Sequence, residues 1–167
     1  LVPGRVYLDA NIFIVLAEGQ MDARRAPLTH FVAGCAAADH LRPCTCEITL
    51  AELLVRPFRD GNDRLVDMYS DWISAQSSWL DVGPVSREAL YDAAVLRQLH
   101  PSLKLPDAIH LSAALGLECR YFLTFDSRLP SNVSLTASRH RRGGKPVELR
   151  VEAPTQSVVD FLLDTPQ

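Results

Sequence analysis

Four acids in this chain recur at the ends of apolar runs or near the starts of helical patterns. Asp9 ends the apolar run Val6-Tyr7-Leu8 in "RVYLDANIFIVLAEG", and Asp126 ends "RYFLTFD" in the same manner. Glu52 follows soon after "RPCTCEIT", and Asp107 comes directly after Pro106 in "PDAIHLSAALGL". Carboxylates gathered in one place repel each other, and some must take up protons unless a cation is present. Oxygen-rich sets of this kind suit Mg²⁺ or Mn²⁺, hard ions that keep several waters and take only a few carboxylates. The chemistry to expect is that of a divalent cation held by Asp9, Glu52, Asp107 and Asp126.

Such a site needs elements that bring the four together. Arg5–Asp9 reads as a short strand and Asn11–Glu18 as a helix stopped by Gly19. Leu28, Phe31, Val32, Cys35 and Ala36 recur at helical spacing and predict a helix over Leu28–Asp39. "RPCTCEIT" supplies a strand, and "TLAELLVRPF" a helix that should not run cleanly past Pro57. "GNDRLVDMYSDWISAQ" is amphipathic, with Leu65, Met68, Tyr69, Trp72 and Ile73 on one face. "WLDV" predicts a strand, Ser86 a cap, and Arg87–Leu99 a helix. Pro106 suits the first turn of the next helix and Gly116 its end. "VELRV" and "TQSVVDFLL" close the chain as strand and helix, with Thr155 or Ser157 as cap.

Alternating strands and helices predict an α/β domain around a parallel sheet, with residues 1–167 as a single unit. Residues 131–146, "SNVSLTASRHRRGGKP", are polar and locally basic and read as a loop inserted before the last strand. Ligand sites of open parallel sheets lie outside the carboxyl ends of the strands. Asp9 and Asp126 should therefore share one edge. Helices that follow strands begin at that edge, which brings Glu52 and Asp107 towards it.

The totals are consistent with one ordinary domain: 47% apolar and 22% charged residues, with 17 basic and 20 acidic side chains giving a net charge of −3. No overall field recommends or forbids nucleic acid. Cys35, Cys44, Cys46 and Cys119 show no paired C-x-x-C spacing. Cys44 and Cys46 would point the same way on a strand, but no second cysteine or histidine pair completes a zinc site. Reduced, mostly buried thiols in a cytoplasmic protein are the expectation. No apolar run approaches membrane-spanning length and no signal-peptide pattern is present.

"VYLDANIFI", "TLAELL", "LPDAIHLSAAL" and "FLTFDSRL" resemble, in order, spacing and flanking residues, the successive acidic motifs of the PIN-domain family. The likeness is nearest to the VapC-type ribonuclease toxins of toxin–antitoxin pairs and spans essentially the whole chain. It implies a three-layer α/β/α sandwich and metal-dependent cleavage of RNA, with Mg²⁺ or Mn²⁺ as cofactor. The acidic set of the family falls on Asp9, Glu52, Asp107 and Asp126. Asn11 and Thr124 match the polar residues that orient these acids by hydrogen bonding. On this resemblance Asp9 and Asp107 coordinate directly, while Glu52 and Asp126 act through bound waters or a second ion. It also implies a homodimer and a small antitoxin whose tail enters the acidic groove with an arginine or lysine.

Plainer readings compete. Thr49-Leu50-Ala51-Glu52 fits the capping-box pattern, in which Glu52 only satisfies a helix-end N–H. Asp107 could be a favourable charge at a helix start, and Asp126 a turn residue beside Ser127. His110, three residues after Asp107, lies on the same helical face and reads as packing or as support for the acids. Trp72, Trp79 and Phe31 read as core. The basic run Arg139-His140-Arg141-Arg142 with Lys145 is either a solvated loop or an RNA-phosphate contact. Lys104, Arg24 and Arg25 are candidates for the same contact, because a polyanion approaching an acidic site needs cations nearby. Two other functions fit less well. One is a PIN-like RNA- or protein-binding module without nuclease activity. The other is a receiver or phosphatase domain, which would need an acid pair near its start and a lysine at a later strand end; neither is present.

Overall fold

Strand β1 (Gly4–Leu8) sits at the centre of the sheet, and the acid that follows it is the N-cap of α1 (Ala10–Glu18). The computed structural model describes residues 4–19, 21–38, 40–135 and 147–165. Next come α2 (Arg25–Ala37), β2 (Leu41–Cys46), α3 (Ile48–Asp60), α4 (Asp63–Trp72) and β3 (Asp81–Gly83). They are followed by α5 (Arg87–Leu99), α6 (Leu105–Gly116), β4 (Tyr121–Leu123), β5 (Asn132–Leu135), β6 (Val147–Glu152) and α7 (Gln156–Asp164).

The strands lie in the order β3-β2-β1-β4-β6-β5. All neighbours run parallel except β5, which pairs antiparallel with β6 from Asn132↔Arg150 to Leu135↔Val147. Alternation along β1 divides two cores. Val6 and Leu8 face a cluster with Ile12, Phe13, Leu28, Phe31, Leu53 and Leu162, contributed by α1, α2, α3 and α7. Tyr7 faces the opposite cluster with Leu96, Leu111, Phe122 and Leu149, built chiefly on α5 and α6. Side chains of successive strand residues point to opposite faces, so one central strand feeds both layers. The result is the three-layer α/β/α sandwich.

Three local expectations need correction. Residues 132–135 are not loop: their exposed-buried alternation sets Val133 and Leu135 into the core and makes β5 an edge strand. Four residues are too few for a period of two to stand out from a polar surrounding stretch. The rest of that basic segment, with Arg139, His140, Arg141, Arg142 and Lys145, lies outside the described residues. Helix α3 continues through a buried Pro57 to Asp60. A proline in the last turn removes one N–H bond while the turn closes around it: Gly61, at φ 63°, and the Asn62 N–H bonded to the Pro57 carbonyl at 2.9 Å finish the helix. Helix α2 begins earlier than expected, at Arg25, and ends at Ala37. Elsewhere Asn62, Ser86 and Thr155 each cap a helix with a side-chain oxygen. Phe31 is fully buried, while Trp72 and Trp79 are partly buried against the same core, edge to face at 5.7 Å.

Candidate metal centre

Asp9 is held from several sides. Its Oδ1 accepts the Ala10 N–H at 2.8 Å, while Oδ2 accepts Asn11 Nδ2 at 2.7 Å and the Thr124 hydroxyl at 2.6 Å. Thr124 follows β4, the neighbour of β1, so parallel pairing alone brings it across. The two polar residues also brace the backbone beyond Thr124. Its Oγ1 accepts the Asp126 N–H and Asn11 Nδ2, each at 2.9 Å, and Asn11 Oδ1 accepts the Phe125 N–H at 3.1 Å. Asn11 and Thr124 thus fix Asp9 and the Asp126 backbone as one unit.

Glu52 stands in the second turn of α3, and its Oε2 lies 2.8 Å from His110 Nε2 on α6. No capping box forms. The helix starts at Ile48 with Glu47 as N-cap, and Thr49 is buried with its hydroxyl 2.7 Å from that of Thr45. Ligand atoms of Asp9, Glu52 and His110 all lie within 4.8 Å of one another. Asp107, in the first turn of α6, stands outside this tight group but feels its charge: burial pushes its carboxyl up, and Asp9 and Asp126 add to the rise. Burial likewise raises Asp9, against the pull of His110 and the bonds from Thr124 and Ala10.

Asp126 is turned to a different partner. Arg128 bonds it with its own backbone N–H at 2.9 Å and with guanidinium Nε at 2.8 Å, which holds the carboxyl down at about 2. Asp107 and Asp126 share a cavity of about 170 Å³ with His100, Ser102, Lys104 and Arg128. Lys104 is exposed at its rim and, among the described residues of the basic set, is the one that lines this cavity. Arg24 is engaged by Asp22 and stacks over Phe125, and Arg25 donates to the Leu16 carbonyl.

The donor set fits a hard divalent ion. It consists of carboxylate oxygens, and the Asp9 and Asp107 carboxyls are both pushed up by burial and by neighbouring acids, a repulsion that a cation offsets. The sequence gives His110 a supporting role and singles out neither Tyr7 and Cys46 beneath it nor Arg128. The i, i+3 spacing to Asp107 was the signal available for His110; nothing local signals that α3 and α6 meet across the sheet edge. The four thiols are unbridged, with Cys44 and Cys119 sulfurs 3.2 Å apart in the core. Among the described residues no helix is long and apolar enough to cross a membrane.

The fold is a mostly parallel α/β/α sandwich with Asp9 and Asp126 placed just past the carboxyl ends of the neighbouring strands β1 and β4. The PIN domain model matches residues 6–133, and the chain belongs to the PIN-domain family. It is similar in structure to a toxin–antitoxin complex from Klebsiella pneumoniae, with TM-score 0.52, 22% identity, and coverage of 90% of this chain and 98% of that one. It is similar to VapC20 of Mycobacterium tuberculosis, a toxin that cleaves the sarcin–ricin loop, with TM-score 0.57, 17% identity, and coverage of 73% and 90%. A third is VapBC2 of Rickettsia felis bound to a DNA fragment from its promoter, with TM-score 0.54, 16% identity, and coverage of 74% and 89%. No curated protein matches the chain in sequence.

Proposed function

We propose that this chain is a metal-dependent endoribonuclease and the toxin of a toxin–antitoxin pair. The observation that carries the proposal is the convergence of Asp9 and Glu52, within 4.8 Å through their ligand atoms, beside Asp107 and Asp126 at one sheet edge. Membership of the PIN family and similarity to toxin–antitoxin proteins support it.

In this reading Asp9 and Asp107 ligate Mg²⁺ or Mn²⁺ directly, and Glu52 and Asp126 act through solvent. The bound ion supplies positive charge against the phosphate and a more acidic water. Asn11 and Thr124 keep Asp9 oriented by donating to one of its oxygens, and the Thr124 bond works against the rise that burial causes. Lys104 and Arg128 offer cationic contacts to the RNA phosphates at the cavity beside Asp107. The antitoxin places a cationic side chain in the same acidic groove, and the active form is a homodimer.

Purified protein should cut RNA with Mg²⁺ or Mn²⁺, stop on addition of EDTA, and lose cutting in Asp9→Asn. Metal-dependent cleavage that survives Asp9→Asn would overturn the proposal. One observation favours a second reading, a binding module without nuclease activity: Glu52 and Asp126 already have internal partners in His110 and Arg128. Calorimetry separates the two, since a binding module takes up neither Mg²⁺ nor Mn²⁺.

A further inference from the structure

Beneath the acids a buried chain of hydrogen bonds runs from the core to Glu52. The Tyr7 hydroxyl donates to Cys46 Sγ at 2.9 Å and lies 2.8 Å from His110 Nδ1. His110 Nε2 lies 2.8 Å from Glu52 Oε2. Tyr7 and Cys46 are fully buried and His110 is 1% exposed, whereas the Glu52 side chain is 34% exposed. The relay therefore connects a rigid interior to a mobile type of side chain at the surface.

Donor counting assigns the roles. The 2.8 Å contact with the Tyr7 hydroxyl occupies Nδ1 whichever of the two atoms carries the hydrogen. A carboxylate only accepts, so Nε2 donates to Glu52. Neither ring nitrogen keeps a lone pair for an ion. The ring is also locked in place: Tyr7 stacks on Phe122 at 5.0 Å and 10°, and meets His110 edge to face at 5.9 Å.

We infer that Tyr7 and His110, anchored on Cys46, are positioning residues that fix the Glu52 carboxylate beside Asp9 for a divalent cation. His110 acts by hydrogen bond and not as a ligand. Holding Oε2 removes the torsional freedom of Glu52 and leaves its other oxygen for the site. The inference rests on the nuclease reading. It goes further in naming which buried groups set the acid's geometry.

The test is Mn²⁺ binding by the full chain, followed by calorimetry and by electron paramagnetic resonance. Wild type should bind Mn²⁺ and show no coupling to a directly bound ¹⁴N nucleus. Tyr7→Phe and His110→Leu should each weaken Mn²⁺ binding about 10–100-fold, the usual effect of removing a partner that orients a ligand. His110→Gln, whose amide N–H can still donate to Glu52, should recover most of the loss. A role in packing alone predicts the opposite order, with leucine as good a filler as glutamine. Equal Mn²⁺ affinity in wild type and His110→Leu, or imidazole ¹⁴N coupling in wild type, overturns the inference while leaving the nuclease reading intact. Wild type that binds no Mn²⁺ removes both. The resonance measurement needs no variant and stands even if one of them fails to fold.

Discussion

Thr124 Oγ1 lies 2.6 Å from Asp9 Oδ2, which joins two residues 115 positions apart through neighbouring strands. The same oxygen accepts from Asn11 Nδ2 and the Asp126 N–H, so one hydroxyl serves both ends of the acidic edge. Thr124→Val keeps the shape and removes the oxygen, which takes a donor from Asp9 Oδ2 and the acceptor from the part-buried Asp126 N–H. It should cost about 1–3 kcal/mol in denaturant unfolding, with Thr124→Ser close to wild type. Thr124 holds the Asp9 pKa down, so its loss should also move the acidic limb of any pH–cleavage profile to higher pH.

Asp107 should limit the stability of the metal-free protein. Its pKa is raised by burial, then by Asp9 and Asp126. The folded state therefore binds its proton more tightly than the unfolded chain does. Stability is then fully present below the ordinary carboxylate pKa and falls as pH rises through the raised value. Asp107→Asn removes the charge. Solvent screening keeps the gain small: an increase in Tm of about 2–4 °C at neutral pH, the shift that about 1 kcal/mol gives a domain of this size. Calorimetry with Mg²⁺ or Mn²⁺ should show that the same variant no longer gains stability from the ion.

Lys104 tests the cationic wall of the cavity beside the acids. Lys104→Ala should weaken RNA binding at low salt across sequences and reduce the slope of log affinity against log salt by about 1. Binding of Mn²⁺ should not change, because Lys104 is exposed and offers no ligand. Fluorescence titration of a labelled RNA at several salt concentrations gives both numbers.

The thiols should be inert in the native state. Burial lifts Cys35 to about 12 and raises Cys44 well above its usual value; Cys46 and Cys119 are fully buried. At pH 8 a thiol at about 12 is roughly one part in 10⁴ thiolate, the reactive form. Ellman's reagent should therefore report negligible native reaction and all four thiols after denaturation.

Local signals carried much of this protein. Short apolar runs ending in Asp9 and Asp126, caps at Ser86 and Thr155, and Pro106 at a helix start each have a cause within a few residues. Those causes need no knowledge of the rest of the chain, and they were enough for an α/β domain around a parallel sheet; the three-layer sandwich came with the resemblance to the PIN family. Edge strand β5 was hidden because four residues carry too little periodicity, and its pairing with β6 is non-local.

Tertiary structure alone decided which side chains meet. Glu52 could have been a cap or part of a cluster; the start of α3 at Ile48 and the crossing to His110 settled its partner. Asp126 shares a cavity with Asp107, yet its carboxylate turns to Arg128. Residue types and spacing fix the elements, because propensity and periodicity are local properties. Which oxygen faces which hydrogen depends on register and crossing between elements far apart in the chain, and that is settled only when both cores pack.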